Sequence, residues 1–331
     1  MPTWSSRPVL DPGARLAHTL AALHAQRVPG AQAAAAELAR LLAGYGRDER
    51  EWRRSTLTAD GFPCEFTFGS GKPCVRYALE PAAASPQARL AICEALLDAA
   101  GVTPLAAVMR NRVKALHSGA ALAYGAWIGA RHDAAGARYK LYIEVPAHGA
   151  GAAARDMLRD YLGHAGAHLR CPLRMLGCDP QAGTLEFYFR SDGALPPQLL
   201  APRAPDGPAP DQTATLAALM ARTARRGPSG FSLAQDAGGR MTATSRYVFA
   251  NRAFGADPQL RRRVLRFAAA CRWDPAAYAA ASAPAAGANG AGGHGLLAWI
   301  TPLDGPAEIR LGLNPPRPGA RHLAAANPTE E

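Results

Sequence analysis

The cysteines form no CxxC pair, and no Cys/His group has the spacing of a zinc site. This excludes a zinc ribbon or a thioredoxin-like redox motif. The opening stretch MPTWSSRPVLDPG lacks the apolar core of a secretory signal. No apolar run approaches the ~20 residues of a membrane span. Charge is sparse, at 19% of residues against 48% apolar, so the chain is not disordered as a whole. Gly69-x-Gly71-Lys72 lacks the full Walker spacing and joins two strand-like runs, so it reads as a hairpin turn. His164 and His168 are spaced i, i+4, but no third metal ligand accompanies them, and they read as a helix end. A cytoplasmic protein with reduced thiols is expected.

The 331 residues suit one large domain, with a core from about residue 14 to 315 and loose tails at both ends. A net charge of +11 favours anionic partners. The densest cluster, Arg261, Arg262, Arg263 and Arg266, reads as the solvated face of a helix rather than a nucleic-acid patch.

The informative signal is a repeated order of elements: two strand-like runs joined by a short turn, then a helical run, five times over. The strand pairs are 62–68 with 73–80, 121–131 with 137–145, 169–178 with 184–190, 230–235 with 240–250, and 295–301 with 307–313. Helices are expected over 85–100, 152–162, 212–224 and 257–270, and two more, over 14–26 and 31–42, precede the first pair. The loops 194–210 and 281–293 are rich in proline or in alanine and glycine.

Side chains alternate across a strand. Arg138, Lys140, Tyr142 and Glu144 share one face, while Tyr139, Leu141, Ile143 and Val145 share the other. Glu186, Tyr188 and Arg190 alternate with Leu185, Phe187 and Phe189, and Glu308, Arg310 and Gly312 alternate with Ile309, Leu311 and Leu313. An open sheet with a wet face would explain the pattern too, but ten antiparallel strands in one open sheet would twist heavily and leave two edges. Five ββα units can close instead, with helices over the apolar outside and the polar faces lining a lumen too wide for side chains alone to fill. The expected class is therefore α+β, a closed barrel of ten antiparallel strands with its site in the lumen.

In this form the sequence resembles the ABBA prenyltransferases, both the indole prenyltransferases of the dimethylallyltryptophan synthase type and the shorter cyanobactin-type peptide prenyltransferases. The resemblance rests on Glu65 in PCEFTF with Arg76 in VRYALEP, on ARYKLYIEV with Lys140 and Tyr142, on ALAYGAWIGARHDAAG before it, and on LLAWIT with EIRLGL. It implies transfer of an allyl group from an isoprenoid diphosphate to an aromatic or peptide acceptor, with Glu65 by the acceptor and Arg76, Lys140 and Tyr142 at the diphosphate. The sequence departs from the indole enzymes in two places. Their third repeat carries Arg-x-Lys-x-Tyr where this chain has Glu186-x-Tyr188-x-Arg190, and Gly312 stands where the family tends to have an aromatic. Gly125, Gly129 and Gly312 hint at room for a donor of ten carbons or more. There is no DDxxD motif, so no aspartate-held magnesium cluster is implied; no cofactor is expected to be tightly bound, and magnesium can accompany the diphosphate without any motif requiring it.

The chemistry assigns three groups of residues. Cations must stabilise the departing diphosphate, and the candidates are Arg76, Lys140 and Arg310, then Arg138, Arg190 and Arg246. Aromatic faces shelter the allyl cation at roughly 0.5–2 kcal/mol each, and the candidates are Tyr142, Tyr188, Tyr247 and Trp299, with Gly312 shaping the acceptor pocket. The acceptor must lose a proton, and Glu65, set among Phe62, Phe66 and Phe68, is the candidate base. A structural ion pair from Glu65 to Arg76 is the alternative for that carboxylate. A monomer without nucleic-acid or membrane partners is expected. The competing readings are a non-catalytic barrel that binds an anionic or hydrophobic ligand, and a basic nucleic-acid-binding protein.

Overall fold

The computed structural model describes residues 12–45, 55–103, 105–167, 169–191, 229–255, 259–271, 273–283 and 293–315. Ten strands close into one antiparallel barrel: β1 (Cys64–Gly69), β2 (Val75–Leu79), β3 (Ala126–Asp133), β4 (Gly136–Glu144), β5 (Leu173–Asp179), β6 (Thr184–Ser191), β7 (Ser229–Gln235), β8 (Met241–Phe249), β9 (His294–Pro302) and β10 (Glu308–Leu313). Each strand pairs with its neighbours in sequence, and β1 closes the circle against β10 through Phe66–Leu313 and Thr67–Gly312. The closed barrel leaves no edge strand unpaired. The open-sheet alternative is thereby excluded.

Every hairpin turns at one end of the barrel, and every longer connection lies at the other. The turn between β3 and β4 is tight, with Asp133 paired to Gly136, and Gly136 takes a positive φ of 116° that a side chain would strain. The strands obey the expected alternation. Cys64, Phe66 and Phe68 of β1 are buried on the outside, whereas Glu65 and Thr67 face the lumen.

The helices pack on that apolar outside. Among the described residues they are α1 (Pro12–Ala25), α2 (Ala31–Leu42), α3 (Pro86–Ala99), α4 (Ala107–His117), α5 (Gly151–Ala167), α6 (Ala250–Phe254), α7 (Gln259–Ala270) and α8 (Ala276–Ala281). In α7, Leu260, Val264 and Phe267 are buried at helical spacing, and Arg261 and Arg263 bond to the Ala279 and Phe254 carbonyls at 2.8 and 2.6 Å. The basic cluster is thus a helix face that also ties neighbouring segments together. Beneath α2, Glu37 accepts from Tyr139 at 2.9 Å and lies 3.1 Å from His132, which stacks on Tyr77.

Two expectations differ from the structure. Helix α4 was not anticipated; its buried Met109, Val113 and Leu116 follow a helical spacing that is diluted by Arg110, Arg112 and Lys114. Strand β3 starts at Ala126 rather than at residue 121, because the buried Glu144 carboxylate captures the backbone N–H groups of Ala123, Tyr124 and Gly125 at 2.9, 2.7 and 2.7 Å and folds them as a loop. The expected helix over 212–224, the loop 194–210, residues 284–292 of the alanine/glycine-rich loop, both expected tails and the side chains of His164 and His168 lie outside the described residues. No helix among the described residues is long and apolar enough to cross a membrane.

Candidate active site

The lumen collects side chains from alternate positions of successive strands, so the barrel register decides which residues meet. Glu65 pairs with Ala78 on β2, one lumen step from Arg76. On the other flank its carboxylate leans over Gly312 and Gly295, where a Cβ on either glycine would collide with it. Arg310 is one lumen step beyond Gly312 on β10. One step along a strand face is about 7 Å. Gly312 is opposite Thr67 and Arg310 opposite Gly69, so two arginines flank β1 on the hairpin side of the carboxylate, Arg76 one lumen step from it and Arg310 two.

Glu65 has no hydrogen-bond or ion-pair partner among the described residues, and burial alone raises its pKa to about 8. The suggested ion pair with Arg76 does not form. Arg76 is itself without an ion pair among the described residues; burial and the Arg310 charge beside it push its pKa down. Arg310 is raised on balance, because Glu308 at 2.8 Å outweighs the effect of burial. Arg131, paired in register with Arg76, adds a further guanidinium bridged to Asp133 at 2.9 Å. Two arginines crowded together, one of them unpaired, form a site that gains by receiving a multivalent anion.

Deeper in the lumen, Lys140 of β4 reaches over Gly177 of β5, where a Cβ would block it, and pairs with Glu186 of β6. Its ammonium lies 5.6 Å from the Tyr142 ring centroid and 5.5 Å from that of Tyr188. Tyr142, Tyr188 and Tyr247 stand in a row, with successive centroids 6.0 and 5.6 Å apart. Glu186 accepts from the Tyr188 hydroxyl at 2.8 Å, from the Tyr247 hydroxyl at 3.0 Å and from Ser232. Burial opposes ionisation of Glu186, but the Lys140 charge and these donors overcome it and hold the carboxyl well below its usual range. Burial, then Glu186, raise both tyrosines well above the ordinary phenol value, so they stay neutral.

Of the expected residues, Glu65, Arg76, Lys140, Arg310, Tyr142, Tyr188 and Tyr247 share the lumen. Five others do not play the part expected of them. Ser245 and Tyr247 face inward, so Arg246 between them faces outward, its guanidinium 5.7 Å from the Trp299 ring. Trp299, paired with Arg246 and Ile309, is 6% exposed in the core under the outer helices and shelters nothing in the lumen. Arg190 lies four residues along β6 from Glu186, about 13 Å away, and is exposed at the end of the barrel opposite the hairpins. Arg138 is exposed at the hairpin rim. Gly312 opens no space for the acceptor, because the Glu65 carboxylate fills it; the room at Gly129 is taken by the Tyr142 ring, and Gly125 abuts the Pro86 backbone on the outside. The hint of a longer donor therefore has no support from these glycines.

Sequence reasoning missed Arg131, Ser232 and the central role of Glu186, as well as Trp127. This last is a lumen residue paired with Tyr142, stacked on Tyr124 at 4.1 Å, with its indole N–H donating to Glu80 at 3.0 Å. The alternation itself would have found Arg131 and Trp127 once β3 was given its true start.

A closed ten-stranded antiparallel barrel with helices around it is the fold of the ABBA aromatic prenyltransferases. Among solved structures, the chain is similar to 5-dimethylallyl tryptophan synthase from Streptomyces coelicolor in complex with DMASPP and Trp, with TM-score 0.74 and 16% identity over 94% of this chain and 98% of that one. It is similar also to the prenyltransferase PriB in ternary complex with L-tryptophan and dimethylallyl thiolodiphosphate (TM-score 0.72, 20% identity, 94% and 99% covered). AnaPT from Neosartorya fischeri matches with TM-score 0.58 and 12% identity, covering 92% and 98%. No protein-family model matches the sequence, and no curated protein matches it.

Proposed function

We propose that this chain is an aromatic prenyltransferase that ionises an allyl diphosphate in the barrel lumen and transfers the allyl group to an aromatic acceptor. The observation that carries the reading is the Glu65 carboxylate, buried and without a partner among the described residues, with Arg76 one lumen step away and Arg310 two on the hairpin side. A barrel that merely bound anions would gain nothing from a buried carboxylate there.

Arg76, Arg310 and Lys140 hold the diphosphate and stabilise the charge it gains as the C–O bond breaks. Tyr142, Tyr188 and Tyr247 face the cation. Glu65 takes the proton from the acceptor after the new bond forms. Magnesium can accompany the diphosphate, and no motif of this chain requires it. The acceptor enters from the end opposite the hairpins, where Phe249 and Leu296 are paired and exposed on the lumen side. All these groups come from one chain, which supports a monomer, and the free cysteines support a cytoplasmic setting. The tryptophan bound in two of the similar structures makes an indole the first acceptor to try, ahead of a peptide side chain.

The test is incubation with dimethylallyl, geranyl and farnesyl diphosphate against a panel of indoles, phenols and peptides, read by mass. A shift of one prenyl unit on an aromatic acceptor supports the reading; no shift with any pair rejects it.

A further inference from the structure

Glu186 lies where the chemistry just proposed would want no anion. It is a lumen carboxylate among the groups that must hold a diphosphate and a carbocation, and repulsion from either would count against it. Yet it is the most heavily bonded side chain of the site. One oxygen accepts from Lys140 and Tyr188, the other from Ser232 and Tyr247. These donors come from β4, β6, β7 and β8, so one carboxylate fixes residues from four strands.

This has two consequences for the aromatic wall. Both phenol hydroxyls are directed at Glu186, which fixes the ring positions and keeps the hydroxyls engaged. A phenol that donates to a carboxylate also carries extra electron density in its ring, which strengthens the attraction of the ring face for a cation. The wall already holds a cation: the Lys140 ammonium sits between the Tyr142 and Tyr188 faces.

Resting on the prenyltransferase reading, we propose that Glu186 is a positioning residue that sets and enriches the Tyr188–Tyr247 wall, so that the allyl cation is passed to the acceptor and not to water. The reaction begins with heterolysis of the allyl C–O bond, the electron pair leaving with the diphosphate. The cation then forms a C–C bond to the acceptor, whose proton goes to Glu65. Alternatively it forms a C–O bond to water, which releases a proton to solvent and gives the allyl alcohol. Glu186 touches neither reactant; it acts through the two rings and so biases this partition.

The experiment measures, with dimethylallyl diphosphate and a saturating acceptor, the ratio of free dimethylallyl alcohol to prenylated acceptor for the wild type and Glu186→Gln. The expected result is a rise of about tenfold in that ratio, the size of a weakened desolvated cation–π contact. A merely structural role would slow both channels together and leave the ratio unchanged, which would overturn the proposal. If Glu186→Gln does not fold, Tyr247→Phe, which keeps the ring and removes one hydroxyl, decides by the same ratio: a rise supports the proposal and no change overturns it. A wild type that yields no prenylated acceptor would instead reject the functional reading itself.

Discussion

The Glu65 carboxylate rests against Gly312, across the β1–β10 pairing that closes the barrel. The missing side chain of one strand makes room for the reactive group of the next. Because the sheet is a circle, Glu65 at one end of the chain and Gly312 near the other meet on adjacent strands. Gly312→Ala places a methyl group against the carboxylate and displaces it. Since a shift of about 1 Å in a catalytic group can cost about 10²-fold, transfer should fall by that order while diphosphate affinity is kept. Steady-state kinetics with a binding isotherm for inorganic pyrophosphate would check this.

The raised pKa of Glu65 fixes the sign of the pH dependence. A base must be ionised, so kcat/KM for the acceptor should climb about tenfold per pH unit below about 8 and level off above it. A rate profile from pH 6 to 9.5 reads this directly, and Glu65→Asp should keep the shape at a lower plateau.

Stability should run the other way. The fold favours the protonated carboxyl, whose pKa is about 8 in the folded chain against 4.5 ordinarily. That contribution is fully present below pH 4.5 and is lost as pH rises through about 8. Glu65→Gln removes the ionisation, so its Tm should exceed that of the wild type at pH 9 and approach it at pH 5. Thermal melts of both proteins at the two pH values would show the gap at pH 9 closing at pH 5.

Arg76 and Arg246 make a matched pair for the lumen boundary. Arg76→Ala should cost about 10²–10³-fold in turnover through lost stabilisation of the leaving group. Arg246→Ala, on the outer face beside Trp299, should change turnover less than about threefold, because its guanidinium lies outside the lumen. Trp299→Ala should cost about 3–5 kcal/mol of stability as a core truncation, read by chemical denaturation.

Much of the fold was legible because the strands alternate so cleanly. Lys140 and Tyr142 against Leu141 and Ile143 give the facing of β4 without any structure. What alternation cannot supply is register. Arg246 and Tyr247 both look like lumen candidates in the sequence, yet adjacent residues of a strand cannot face the same way, and the bonds of Tyr247 to Glu186 and Ser232 show which one is inside. Arg190 failed for a related reason: it shares a face with Glu186, but its position along β6 carries it to the far mouth. Glu186 was read as a departure from a family pattern. Its role emerges only when donors from four strands converge on it, a non-local fact that no window of sequence contains.

On the proposed mechanism, Glu65 takes the acceptor proton beside a diphosphate held by Arg76, Arg310 and Lys140. The most direct measurement compares wild type with Glu65→Gln, using dimethylallyl diphosphate and tryptophan, by product mass and by calorimetric titration of pyrophosphate. The account predicts that the variant binds pyrophosphate as tightly as the wild type and loses about 10²–10⁴-fold in prenylated product. Undiminished product from the variant would contradict it.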